Sequence, residues 1–518
     1  VLKAYFKKGV DKGESKDNQT GLNAIIGANG FTIHVDNVKN LTADNAKDRA
    51  EAEAISSKGT MVAKENITVK GLADLQKATK AGTYELTFEA EDAKVTVKVK
   101  VQDMTPAVTG KTAYTVTIKG EPNTEYTVKN PNGTPALDKN GQPIKGTTDA
   151  NGKVTFVGLE KGKDYVISSE ESGSVKTGTS AVDAEDIANS FREDEKDKAK
   201  VTGEGLNEKA ENSKVDVVVD ENGNYKVILK DDINGTVKVP DTWGDVTVDL
   251  NGNIIKGNDA TDKESAKPGL DFVKDDASKG NGTNLVIKDT SKDGTGTIAG
   301  GNGSNKYPDG AAGIKGNKDA STPTVDVEKP VKVIGGNGAT GEDGNGGNGG
   351  SGIKGNIDTI INGGTITGGN GGNGADNDKG NGGTGGNGGN GIDSDNKNVT
   401  VKDGEVTGGN AGNGGSSENG NGGNGGTGGS GITGSKDIEI SGGNINGGNG
   451  GSGGDSDKGN GGTGGNGGNG VDNGKNPGTI TGGDINGGNG GSGGNTNEGT
   501  GGTGGNGGNG INGTGDII

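Results

Sequence analysis

Four aspartates have the type and placement to hold a cation: Asp376 with Asp378, and Asp455 with Asp457. Each pair is split by one residue in a polar turn, where carboxylate and carbonyl oxygens can gather around a hard ion such as calcium. They are the candidate calcium ligands, but solvated turns are the preferred reading, so no metal and no cofactor is expected. Other chemistry is scarce. The absence of cysteine excludes disulfides, zinc–thiolate sites and thiol nucleophiles. The single histidine, His34, lies in the alternating segment Thr32–Val35 and reads as structural, which leaves no expected histidine metal site or Ser-His-Asp triad. Gly-x-Gly-x-x-Gly matches recur in the last third but lack the strand–helix context that gives them meaning. Paired carboxylates could cleave polysaccharide, yet no Phe, Tyr or Trp follows Tyr307, so the repeats have no aromatic platform for sugar. Trp243 and Tyr225 read as cap or core residues. No catalytic residue is assigned, and no enzyme is expected.

The elements that would position such groups are unusual. Glycine makes up 113 of 518 residues, and apolar residues only 25%, against roughly 45–50% in an ordinary globular chain. One conventional thick core is excluded. Collagen is excluded too, because 11 prolines are too few for a triple helix. The net charge is −18, and Arg49 and Arg192 are the only arginines, so nucleic acid is not an expected partner. No apolar run approaches the roughly 18 residues that span a bilayer. The first residue is Val, so the chain is read as a fragment or mature product with cell-wall anchoring expected outside it. An acidic, cysteine-free chain that prefers Lys to Arg and carries Gly-Asn tracts fits a bacterial surface protein.

Residues 1–27 read as the end of a preceding module, with Val1–Phe6 as its last strand. Residues 28–104 combine a helix over Ala43–Ser56 with short strands at Met61-Val62 and Ile67–Val69. Gly82–Phe88 and Val95–Val101 alternate with period two, which puts Val95, Val97, Val99 and Val101 on one face. This segment resembles the Ig-like modules of Gram-positive surface proteins. Residues 105–172 carry strands at Tyr114–Ile118, Glu125–Val128, Thr147–Phe156 (entered through an Asn-Gly turn) and Lys161–Ile167. They resemble the Cna-B-type modules of Gram-positive adhesins. Both resemblances imply small β-sandwiches. The second also implies that Lys119 and Glu170 are the positions matching a Lys–Asn isopeptide cross-link and its carboxylate. No final strand supplies the acceptor Asn, so ordinary surface charges are the preferred reading. Residues 173–211, with the run Glu193–Lys198, read as a charged linker or solvated helix acting as a spacer.

Residues 212–334 hold short strands at close intervals. Val246–Gly257 (VTVDLNGNIIKG) and Leu285–Ser291, followed by Gly296-Thr297-Ile298, resemble the first rungs of parallel β-helix domains in Firmicute surface proteins. The resemblance implies a pectate-lyase-like solenoid shape without that enzyme's activity. Residues 335–518 are an internal repeat. Ile353, Ile392, Ile432, Val471 and Ile511 recur at steps of 39, 40, 39 and 40. Ile366, Val406, Ile445 and Ile485 form a second column, and Ile361, Val401, Ile440 and Ile480 a third, as stacked coils require. Between the columns runs a period of three, as in Asn381, Thr384, Asn387 and Asn390, each separated by a glycine pair. That period fits a polyproline-II-type helix of three residues per turn, and only glycine lets such backbones approach closely. The tract resembles the polyglycine-II bundles of snow-flea-type antifreeze proteins and some phage tail-fibre tips. Gly371–Asp376 approaches the repeat-in-toxin calcium nonapeptide but has Asp378 where that pattern needs an apolar residue.

The expected fold is therefore all-β: two small β-sandwich modules, then a parallel β-solenoid whose coils of about 40 residues carry polyglycine-II helical arms. The expected role is that of an extracellular cell-surface or cell-wall protein, structural or adhesive, presenting an elongated repeat solenoid to a host protein or glycan. The alternatives are a polysaccharide-active β-helix enzyme and an ice- or receptor-binding face built from the Asn/Thr ladder.

Overall fold

The computed structural model describes residues 23–274, 282–318, 323–395 and 397–513. The strand expected at Val1–Phe6 lies outside the described residues. The described residues are mostly β, with 37% strand and 6% helix and one large parallel sheet among several, which fits an all-β class. It divides after Thr179 into two compact units.

The first unit holds two cores. In one, Ala93–Gln102 lies between Phe31–His34, in parallel, and Gly82–Ala90, antiparallel, with Thr68–Lys70 on the far edge. Period-two alternation sends Val97, Val99 and Val101 inward against Leu86 and Phe88. The helix is Ala43–Arg49, capped by Thr42, whose hydroxyl accepts from the Asn45 amide. It ends well before Ser56. Glu51 turns to φ 47, and Glu53–Ile55 becomes a strand antiparallel to Ile25–Gly27, which buries Ala54.

The second core sits between a four-stranded sheet (Lys145–Thr147, Glu125–Lys129, Asp164–Ser169, Gly173–Gly178) and a three-stranded one (Lys153–Val157, Thr115–Lys119, Ala107–Lys111). Val116, Ile118, Tyr126, Val128, Phe156, Tyr165 and Ile167 meet in it. Its last strand runs to Gly178, past the boundary expected at 172. The two modules of this unit touch where the Glu170 carbonyl accepts from the His34 amide at 3.1 Å and from Asn37 Nδ2 at 2.9 Å.

The first four strands of the second unit, from Lys200–Thr202 to Tyr225–Leu229, pair antiparallel, and every later pairing in its two sheets is parallel. In the eight-stranded sheet Val237, Leu270, Ile314, Ile353, Ile392, Ile432, Val471 and Ile511 are successive register partners. The columns beginning at Ile361 and Ile366 are in register in the larger sheet. Residues one repeat apart thus lie directly above one another, and one apolar cluster runs from Val182 to Val471.

The segment expected as a spacer contributes to that cluster. Asp183 and Asp186 form a capping box for the helix Ala184–Ser190. Ala184, Ile187, Ala188 and Phe191, spaced as one helical face, are buried. Phe191 stacks on Trp243 with ring centroids 5.8 Å apart. The charges of residues 193–198 occupy the chain beyond this apolar face, so the helix is docked, not solvated.

The glycine pairs bond in two directions. The second glycine donates between neighbouring arms: Gly389 to Gly369 O, Gly409 to Gly389 O, Gly429 to Gly409 O and Gly448 to Gly429 O, at 2.7–2.9 Å. The first donates to the residue one repeat on, as Gly388 does to Thr427 O at 2.9 Å. Both approaches leave no space for a side chain. A Cβ on Gly388 would lie 1.9 Å from Gly409 O, and one on Gly389 2.0 Å from Gly350 O.

Candidate functional site

Glycine pairing explains two of every three positions, and the remaining position carries the one side chain that faces solvent. Asn370, Asn373, Asn381, Asn387, Asn424, Asn449 and Asn466 are exposed. Their amide oxygens are nevertheless occupied. Each Asn Oδ1 accepts from the backbone amide of the residue one repeat further on. Asp259 starts one such series, which continues through Asn302, Asn337, Asn370, Asn410 and Asn449 to Asn489, each step 2.7–2.9 Å. Parallel series join Asn373 to Asn413 and Ser452, and Asn381 to Asn421, Asn460 and Thr500. A backbone donor at the outer edge of an arm has no neighbouring arm to bond, and the Asn side chain supplies the missing acceptor.

Of the four candidate calcium ligands, Asp376 and Asp455 serve the same ladder, and Asp378 and Asp457 bond to side-chain amides of the next coil. Asp376 Oδ1 accepts from the Ser416 amide at 2.6 Å, and Asp455 Oδ1 from the Asn495 amide at 2.6 Å. Asp457 Oδ1 accepts from Asn497 Nδ2 at 3.0 Å, and Asp378 offers its backbone carbonyl to Asn419 Nδ2 at 2.6 Å. Among the described residues, no group of three or more His, Cys, Asp or Glu is placed to hold a metal ion.

Other singled-out residues fall in the scaffold. The Lys119 side chain is exposed, and the Glu170 carboxylate is paired with the Arg49 guanidinium in the adjoining core. Trp243 and Tyr225 are buried, and the Tyr225 hydroxyl contacts Glu208 Oε2 at 3.0 Å. His34 is buried against Gly173, where a Cβ would come within 2.9 Å of the imidazole.

Two buried carboxylates brace the start of the stack. Asp249, 1% exposed, accepts from Lys226 Nζ at 2.9 Å and from Thr290 through its amide at 3.0 Å and its hydroxyl at 2.8 Å. Burial alone would raise its carboxyl, but these bonds outweigh it and hold the group below the usual range. Asp289 takes the amides of Gly252, Ser291 and Gly296 at 2.7–3.0 Å and is lowered in the same way against its burial. Asp271 and Asp326 are raised by burial instead.

A rung can be tested singly. Asn449→Ala removes the acceptor for the Asn489 amide and should cost about 1 kcal/mol. Asn449→Asp should cost less, because Asp259, Asp309, Asp376 and Asp455 already hold rungs. Thermal melts of the two variants make the comparison. Equal losses would mean that the side-chain oxygen contributes nothing.

Comparison with protein-family models, with curated proteins and with solved structures found no match. The family resemblances rest on the sequence motifs alone.

Proposed function

We propose that the chain is part of a bacterial cell-surface protein, structural or adhesive, in which Ig-like and Cna-B-like sandwiches accompany a parallel β-solenoid with polyglycine-II-type arms. The reading places it outside the cell, anchored to the wall, with a host protein or glycan as its partner. The observation that carries it is the register of residues 39 and 40 apart, joined by parallel strands and by side-chain rungs. Eight strands at about 4.8 Å rise about 34 Å. An arm such as residues 459–470 reaches about 37 Å at polyproline-II rise. Each added coil lengthens the stack, and the arms give it broad polar faces suited to contact.

Incubation of the chain with a panel of plant, bacterial and host glycans separates this reading from the enzymatic one. Retention without release of new reducing ends is expected. Release of oligosaccharide would overturn the structural reading. The regular exposed Asn and Thr rows also favour a second reading, recognition of ice or of a repetitive receptor, and thermal hysteresis would be its signature.

A further inference from the structure

Asn-Gly is the dipeptide most prone to deamidate, and asparagine is among the thermolabile residues. The reaction needs two freedoms. The glycine nitrogen must lose its proton and bond Asn Cγ, and the amide nitrogen must leave as ammonia. Water then opens the resulting succinimide at either carbonyl, giving aspartate or isoaspartate. The tract is built on this dipeptide, and its geometry restrains both partners at once.

In Asn387-Gly388, the Gly388 N–H donates to Thr427 O at 2.9 Å, while Asn387 Oδ1 accepts from the Thr427 N–H at 2.8 Å. The same bracket recurs. Gly374 N–H and Asn373 Oδ1 bind Asn413 at 2.8 and 2.9 Å. Gly425 N–H and Asn424 Oδ1 bind Thr463, both at 2.9 Å. Gly467 N–H and Asn466 Oδ1 bind Asn506, both at 2.8 Å. In each case one residue of the next coil holds the proton that must leave and the side chain that must turn. These asparagines are exposed, so exclusion of water cannot be what restrains them.

We propose that the Asn-Gly pairs of the repeat are latent deamidation sites, silent while the next coil is stacked and reactive once it opens. The products differ in consequence. Aspartate keeps an acceptor in the rung, as Asp376 and Asp455 show. Isoaspartate adds a backbone carbon and breaks the three-residue phase, so the coil cannot restack. An opening that lasts long enough is thereby made permanent.

The test is peptide mapping by mass spectrometry of the full chain held at mildly alkaline pH, folded and in guanidinium. A synthetic peptide of residues 459–470 in each solvent supplies the intrinsic rate. Relative to that peptide, Asn373, Asn387, Asn424 and Asn466 should convert at least about tenfold more slowly in the folded chain, as opening-limited reactions do. In guanidinium they should match the peptide. Conversion in the folded chain at the peptide's rate would overturn the proposal.

Discussion

Gly465→Val should prevent the affected coils from stacking, while Asn466→Ser beside it should leave the fold nearly intact. A Cβ on Gly465 would lie 1.7 Å from Gly426 O and 2.5 Å from its carbonyl carbon. The obstacle is backbone, with no rotamer to move aside. Gly465 also donates to Gly451 O and accepts from Gly491, each at 2.8 Å, so displacing it breaks bonds in both directions. The cost should exceed the about 1–3 kcal/mol of an ordinary overpacked core site. Asn466 is exposed and loses only the rung to the Asn506 amide, about 1 kcal/mol. Calorimetric melts of the full chain distinguish the two. Equal melting temperatures would mean that the glycine pairs do not pack.

Asp249→Ala should cost about 1–3 kcal/mol, since it leaves the Thr290 amide and hydroxyl without their acceptor and Lys226 without its partner. The effect has a pH signature. The folded carboxyl lies below its unfolded value of about 3.9, so its contribution is fully present above that pH. It disappears as pH falls through the lowered folded value. Asp249→Asn should therefore melt lower than the parent at neutral pH, and the difference should shrink through the acid range below about pH 4. A difference independent of pH would mean that the carboxylate's charge is not what Lys226 and Thr290 stabilise.

The repeat was legible because a stacked architecture writes its register into the chain. Ile353, Ile392, Ile432, Val471 and Ile511 must lie above one another, so they recur at the length of one coil. The rungs were harder to see. The bond from Asn387 to Thr427 joins residues 40 apart, and a local reading registers Asn387 only as a polar residue between glycines. The available signal was the interchange of Asn with Asp, both acceptors, at positions one repeat apart such as Asp455 and Asn495.

The four turn aspartates lie close in sequence but are used separately in the fold. Closely spaced carboxylates suggest a shared ion, but successive turn positions bond to different residues of the next coil. A solvated helix is one of the readings of residues 173–211, but that reading does not lead to the docking of the helix Ala184–Ser190, for another reason. Its apolar face, Ala184, Ile187, Ala188 and Phe191, has textual spacing i, i+3, i+4, i+7, but the charge run that follows dominated the reading. The early end of the helix at Arg49 depends on the pairing of Glu53–Ile55 with a strand at Ile25–Gly27, a tertiary preference that local helix propensity does not encode.

The vertical bonds between coils also set how the repeat would bear load. Tension along the chain reaches the bonds of one coil at a time, as in unzipping, because each coil is held to its neighbour by rungs, strands and glycine amides that part in sequence. A coil that yields exchanges about 4.8 Å of stack for about 130 Å of extended chain. Single-molecule pulling should therefore record a sawtooth whose steps match the repeat, with the extension released by each coil limiting the force passed to the next.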